Sequence, residues 1–208
     1  MKKRISIAVS MGEPSGIGPE VVVKALKGLS KIKDVIFFVT GDPFVLSYYG
    51  IKNSPNLTLV DINNITPARF KPGSSSKESA RASLEYLNAA VSLIKRGVCQ
   101  GLVTGPISKE AAVFGAGFLW PGHTEFLANA FGVKHVAMVF ISERIKVALA
   151  SRHVALRQAV RAINKEDIYS CGVLICGLLK KYFKVRRPKI AVSGLNPHAG
   201  EAGLFGRE

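Results

Sequence analysis

Two histidines stand in turn-rich segments where side chains meet ligands: His153 in Ser151-Arg152-His153 and His198 in Asn196-Pro197-His198-Ala199-Gly200. Neutral imidazole binds Zn²⁺ and related ions well, so the two could share a cation. They lie far apart in sequence, and no HxxxH or HExxH spacing supports them. Unrelated loop histidines are the competing reading. His123 belongs to a turn entering a helix, Pro121-Gly122-His123-Thr124-Glu125-Phe126. There His123 or Thr124 could cap the helix, and such an N-terminus also attracts phosphate or carboxylate. Capping alone is the simpler reading. His135 opens a strand and reads as packing there. Lys109 and Arg152 could bind anions or could equally be solvated. No Ser-His-Asp order stands out, and no residue is assigned as a catalytic base.

The glycine loop Gly16-Ile17-Gly18-Pro19-Glu20-Val21 carries the first two glycines of a dinucleotide fingerprint, but Val21 takes the third place. Pro19 removes an N–H, and Glu20 puts a negative charge where a pyrophosphate would sit. A tight strand-to-helix turn is the better reading.

These segments need a frame. Apolar runs at Ile5–Val9, Val35–Val39, Leu57–Val60 and Gly101–Thr104 read as strands, and Val35–Val39 is continuous, as in a strand covered on both faces. Helical spacing marks Pro19–Leu29, Pro43–Tyr49 and Lys77–Arg96, the last closed by Gly97. A loop fits Ile62–Ser76. Shorter helices are expected at Ser108–Phe114, Thr124–Phe131 and Leu156–Ile163, with a longer one at Lys165–Tyr182. Val136–Ile141 and Ile145–Ala150 are close enough for an antiparallel hairpin, and Lys189–Ser193 reads as a last strand. This is an α/β chain with a three-layer, mixed, largely parallel sheet. In such sheets ligands bind beyond the carboxyl ends of strands. Four segments qualify: Ser10–Glu20, Thr104–Lys109, Ser151–His153 and Asn196–Gly200.

Composition excludes other classes. At 48% hydrophobic residues over 208 positions, the chain is not intrinsically disordered and can bury a core. Its longest apolar run, Cys171–Leu179, ends in Lys180-Lys181 and is far short of the roughly 20 residues of a membrane span. The basic start Met1-Lys2-Lys3-Arg4 is not followed by the uninterrupted apolar stretch of a signal peptide, so a cytoplasmic protein is expected. Cys99, Cys171 and Cys176 lack a CxxC pair and read as reduced, mostly buried thiols. The net charge of +15 raises nucleic acid, but the basic residues are spread out and no zinc-finger, RNP or helix-turn-helix pattern accompanies them. No nucleic-acid or membrane partner is expected.

Five motifs occur in one order: Gly12–Glu20, Thr104–Lys109, Pro121–Phe126, Ser151–Arg157 and Leu195–Glu201. Together they closely resemble the 4-hydroxythreonine-4-phosphate dehydrogenases of pyridoxal phosphate biosynthesis. The resemblance implies a fold akin to the isocitrate and isopropylmalate dehydrogenases and a homodimer. The activity it implies is oxidation of the C3 hydroxyl of 4-phosphohydroxy-L-threonine by NAD or NADP. Decarboxylation to 3-amino-2-oxopropyl phosphate follows. By motif match, His123 and Thr124 contact this small phosphorylated hydroxy amino acid. The same match implies that His153 and His198 are two ligands of a divalent metal such as Zn²⁺, Mg²⁺ or Co²⁺, which would favour the alkoxide and then the enolate.

The family pattern continues past residue 208 with a third metal histidine in a Tyr-His-Asp-Gln-Gly type motif, further substrate residues and much of the cofactor site. Residues 1–208 therefore read as the N-terminal two-thirds of one catalytic α/β unit with two lobes, incomplete at its C-terminal end. The alternatives are an inactive truncated remnant, a basic non-catalytic binding protein, or a relative acting on phosphorylated threonate.

Overall fold

A computed structural model describes residues 4–207; the basic start Met1-Lys2-Lys3 and the final Glu208 lie outside the described residues. The chain divides into two compact units, Met1–Trp120 and Pro121–Glu208.

The first unit is built on strands β1 (Ile5–Ser10), β2 (Val35–Gly41), β3 (Leu57–Asp61) and β4 (Gly101–Thr104). All pair in parallel, in the order β3-β2-β1-β4. Helices α1 (Gly18–Leu29), α2 (Pro43–Tyr48) and α3 (Lys77–Lys95) make the crossovers. Alternate strand residues point to opposite faces, and both faces are apolar. Val9, Phe37 and Val39 pack with Val22, Val23 and Leu26 of α1 and with Val45 and Leu46 of α2. Ala8 packs with Ala90 and Leu93 of α3 and with Cys99, where Phe38, Val60 and Leu102 join it. The expected three layers are present here. Helix α4 (Lys109–Ala116) follows β4.

Local chemistry sets the helix ends. Ser76 and Ser79 form a reciprocal capping box at the start of α3, with serine in the place usually held by glutamate. Gly97, at φ 71°, ends that helix as the sequence predicts. The predicted loop at Ile62–Ser76 contains only a single 3₁₀ turn, Pro67–Arg69.

Asp42 is fully buried. One carboxylate oxygen accepts from the N–H groups of Phe44 and Val45 and caps α2; the other accepts from Asn64 and Ile65. Nearby, Tyr86 donates its hydroxyl to Asn64 at 2.6 Å. Burial, followed by the charges of Asp42, Glu85 and Glu78, pushes that phenol far above its ordinary value, so it remains a donor.

The second unit holds α5 (His123–Phe131), the hairpin β5 (Met138–Ile141) and β6 (Lys146–Leu149), α6 (Leu156–Ala162) and α7 (Lys165–Phe183). The antiparallel hairpin is as expected, with Met138 opposite Leu149 and Ile141 opposite Lys146. It forms a two-stranded sheet of its own, so the single mixed sheet expected from the sequence is corrected to one parallel and one antiparallel sheet.

Lys189–Ser193 is not a strand. Its apolar residues are exposed, Ile190 by 44% and Val192 by 71%. An extended segment becomes a strand only when a neighbour takes its N–H and C=O groups, and among the described residues no strand pairs with it. Its composition encodes β preference without supplying a partner. Among the described residues, no helix is long and apolar enough to cross a membrane.

Candidate functional site

In the first unit the strand order reverses between β1 and β4, the position where open α/β sheets leave a crevice. Here the chain closes that crevice itself. The Glu13 N–H donates to Pro106 O at 3.0 Å, and the Gly105 N–H to Ser10 O at 2.7 Å. A Cβ on Gly105 would lie 2.4 Å from Met11 O, and one on Gly18 would lie 2.5 Å from the same oxygen. These glycines therefore let backbone approach backbone. Glu13, 3% exposed, takes the Ser79 hydroxyl on one oxygen and the Ser108 N–H on the other. The tight-turn reading of this loop holds, and it does not fit a dinucleotide pyrophosphate.

The second unit carries the histidines. His123 and Thr124 are the first two residues of α5 and are half-buried. Neither caps the helix: Gly122 is the N-cap, with extended backbone and no side-chain cap bond. This corrects the capping reading. His153 reaches the same helix start. Its Nδ1 lies 3.1 Å from Glu125 Oε2, and its Cε1 lies 3.1 Å from where a Cβ on Gly122 would be. The ring is 27% exposed and the backbone is left-handed, φ 53°, a region in which histidine is enriched over most residues.

The Arg152 side chain is 28% exposed and makes contacts within the second unit. Its Nε donates to Glu125 Oε1 at 3.3 Å and its Nη1 to Val136 O at 3.1 Å. Burial alone would raise the Glu125 carboxyl. Its own backbone N–H and the bonds from His153 and Arg152 outweigh that and hold it below the ordinary 4.5. Beside this cluster, Lys134, His135, Ser151, Arg152, Asp167 and Cys171 line a cleft of about 230 Å³. His135 is exposed and precedes β5, which corrects the expectation that it packs in a strand.

His198 lies in the loop after Lys189–Ser193, so it does not follow a strand. Its Nδ1 lies 2.8 Å from Glu201 Oε1, its N–H donates to Asn196 Oδ1, and its ring sits 4.8 Å from that of Phe205. Ala199, Glu201 and Ala202 all have positive φ, and Gly200 lets the chain pass close to Gly206. A run of such residues marks a loop held in one conformation.

The structure thus joins His153 to the helix start carrying His123 and Thr124, while the contacts of His198 are with its own loop. Both Nδ1 atoms face carboxylates, so each Nε2 is the nitrogen available to a cation. An imidazole with a bare ring nitrogen is a donor of the type that suits a divalent metal. Among the described residues, no group of three or more His, Cys, Asp or Glu is gathered for a metal. The sequence reading missed Glu125 and Glu201. An acid in the first turn of a helix was visible, but its partner lies 28 positions away and had no sequence signal.

Comparison with known proteins gives the class to which this α/β chain belongs, a family of dehydrogenases. The family model described as "Pyridoxal phosphate biosynthetic protein PdxA" matches residues 27–208, and the chain belongs to that family. It is 35% identical over 222 aligned positions to a 4-hydroxythreonine-4-phosphate dehydrogenase of Sulfurihydrogenibium sp. (strain YO3AOP1), covering 98% of this chain and 67% of the relative. It is 34% identical to a D-threonate 4-phosphate dehydrogenase of Bordetella bronchiseptica, covering 98% of this chain and 63% of that one. The crystal structure of a 4-hydroxythreonine-4-phosphate dehydrogenase from Klebsiella pneumoniae superimposes with a TM-score of 0.82 at 31% identity, covering 99% of this chain and 66% of that one. The chain therefore spans about two thirds of the length of the relatives it matches. These relatives are named dehydrogenases, so the family is one of oxidoreductases.

Proposed function

We propose that this chain is the part of a 4-hydroxythreonine-4-phosphate dehydrogenase that binds substrate and metal, acting in pyridoxal phosphate biosynthesis. The reaction removes a hydride from the C3 hydroxyl carbon of 4-phosphohydroxy-L-threonine to NAD or NADP. Loss of carbon dioxide then gives 3-amino-2-oxopropyl phosphate. The observation that carries this reading is the seating of His153 against the start of α5, beside His123 and Thr124. That brings two of the family's motifs to one place.

His123 and Thr124, at a helix start whose dipole favours anions, hold the anionic substrate. His153 and His198 offer Nε2 to a divalent cation, Zn²⁺, Mg²⁺ or Co²⁺. Such a cation, when bound, supplies Lewis acidity to an alcohol oxygen. No step is assigned to a nucleotide at the glycine loop, where the residues do not fit one. The same reading includes a homodimer, a fold related to isocitrate and isopropylmalate dehydrogenases, a cytoplasmic location, and no nucleic-acid partner.

The relatives named D-threonate 4-phosphate dehydrogenases favour one alternative, a phosphorylated threonate as substrate. Appearance of reduced nicotinamide, followed by absorbance, decides between them. The 208-residue chain is assayed alone and joined to the segment that completes its relatives' length, with each substrate and added Zn²⁺, Mg²⁺ or Co²⁺. Turnover with phosphohydroxythreonine supports the main reading. Turnover with phosphothreonate alone moves the assignment to the alternative. Inactivity of both forms with both substrates overturns the two readings together.

A further inference from the structure

We propose that Glu125 and Glu201 are positioning residues that decide which ring nitrogen His153 and His198 present, and that Arg152 holds Glu125 in place. The proposal rests on the reading of these histidines as metal ligands.

An ionised carboxylate can only accept hydrogen bonds. Glu125 already accepts from Arg152 on Oε1, which leaves Oε2, 3.1 Å from His153 Nδ1. The bond requires the proton on Nδ1. In the neutral ring Nε2 is then the bare lone pair, on the side of the ring away from Glu125. Metal-ligating histidines are commonly oriented in this way, with the second ring N–H donated to a carboxylate or carbonyl.

Three further features restrict the ring. Gly122 leaves the space a Cβ would take from His153 Cε1. Glu125 is fixed in the first turn of α5, where the helix dipole favours its charge. Arg152 spans from Glu125 to the Val136 carbonyl, which ties the carboxylate to the strand side of the unit. His198 reaches the same result on a different backbone. Glu201, three residues on in a loop of positive φ, accepts at Oε1 2.8 Å from Nδ1, and Phe205 flanks the ring. Two histidines from unrelated segments that share one carboxylate arrangement point to a common requirement for a bare Nε2.

The test uses the whole chain without metal at about pH 8, above the ordinary histidine value near 6.5. Nitrogen-15 NMR of the rings should show Nδ1–H with Nε2 unprotonated for both His153 and His198. Glu125→Ala should return His153 to a mixture rich in Nε2–H and leave His198 unchanged; Glu201→Ala should do the reverse. Each variant should bind Zn²⁺ about 10–100-fold more weakly, the usual effect of losing such a partner. Glu125→Gln, whose amide oxygen still accepts, should keep the His153 tautomer and lose less affinity. It also serves if the alanine variant does not fold. An Nε2–H form in the wild-type chain, or unchanged tautomer and affinity in Glu125→Ala, would overturn the proposal. Nδ1–H rings in a wild-type chain that binds no Zn²⁺ would support the carboxylates' hold on the rings and overturn the metal reading instead.

Discussion

Asp42 and Glu125 are both carboxylates that gather several donors, one in each unit, and they do so by different means. Asp42 is fully buried, and its partners are backbone N–H groups of α2 and of the Asn64-Ile65 segment. Glu125 is 24% exposed, and it pairs with the side chains of Arg152 and His153. Backbone donors cannot turn away, so the first arrangement locks the chain path. Side-chain donors can be released, so the second suits a site that takes up a ligand.

The surroundings follow the same division. The first unit buries Val39, Val45, Leu46, Tyr86 and Leu87 completely. In the second unit Leu156 is 88% exposed, Leu204 75% and Tyr169 74%, while Phe126 and Ile175 are buried. Fully buried apolar packing is concentrated in the first unit, and the histidine–carboxylate contacts described above lie in the second.

The strongest way to break this comparison is Asp42→Ala. It leaves four N–H groups without their acceptor. Each abandoned buried donor costs about 1–3 kcal/mol, less where water enters, so a loss of roughly 3–5 kcal/mol is expected in urea unfolding. Asp42→Asn, which keeps one acceptor oxygen, should lose less. A cost below about 1 kcal/mol for the alanine variant would mean that backbone capture does not hold the first unit.

A smaller effect sharpens the contrast from the other side. Glu125 is depressed in the folded chain relative to its ordinary 4.5. The unfolded chain therefore takes up the proton first as pH falls. The stability contributed by Glu125 is present above that ordinary value and is lost as pH falls through the lower folded one. Acid titration followed by NMR should show the His153 and Arg152 side chains released over that range. Signals that do not move down to about pH 2, well below an ordinary carboxyl, would show that Glu125 does not hold them.

The smallest expected effect is that of Leu156→Ser. This side chain is almost fully exposed, so thermal stability should change by no more than about 0.5 kcal/mol. Light scattering at high concentration should decrease as an apolar surface group is removed. A loss of several kcal/mol would show that Leu156 is covered in solution and that the second unit is not as open as it stands here.

The units were also unequally legible in the sequence. The strands Ile5–Val9 and Val35–Val39 and the helix closed by Gly97 were readable because local periodicity and local caps decide them. The hairpin was readable because its two arms are neighbours in sequence. Lys189–Ser193 misled for the opposite reason: residue type encodes β preference, but the pairing partner must come from elsewhere. The same limit hid Glu13 and Glu125, whose partners lie far along the chain. Asp42 carried a fair signal, since Asp followed by Pro43 is the usual start of a helix. At the candidate site the motifs singled out the histidines, but spacing could not indicate that Glu125 faces His153.

Glu13 bears on how the first unit is made. Its two partners, Ser79 and Ser108, lie 66 and 95 positions further along the chain. β4, the neighbour of β1 on the side away from β2, comes from the same late stretch. During synthesis from the N-terminus, β1 can pair with β2 early, but its other edge stays unpaired until β4 has emerged. An open edge on an apolar strand is a template for pairing with another chain. Elongation speed over the residues between β2 and β4 therefore sets how long that edge is exposed. Pausing there should favour aggregation even though the finished unit covers β1 on both sides.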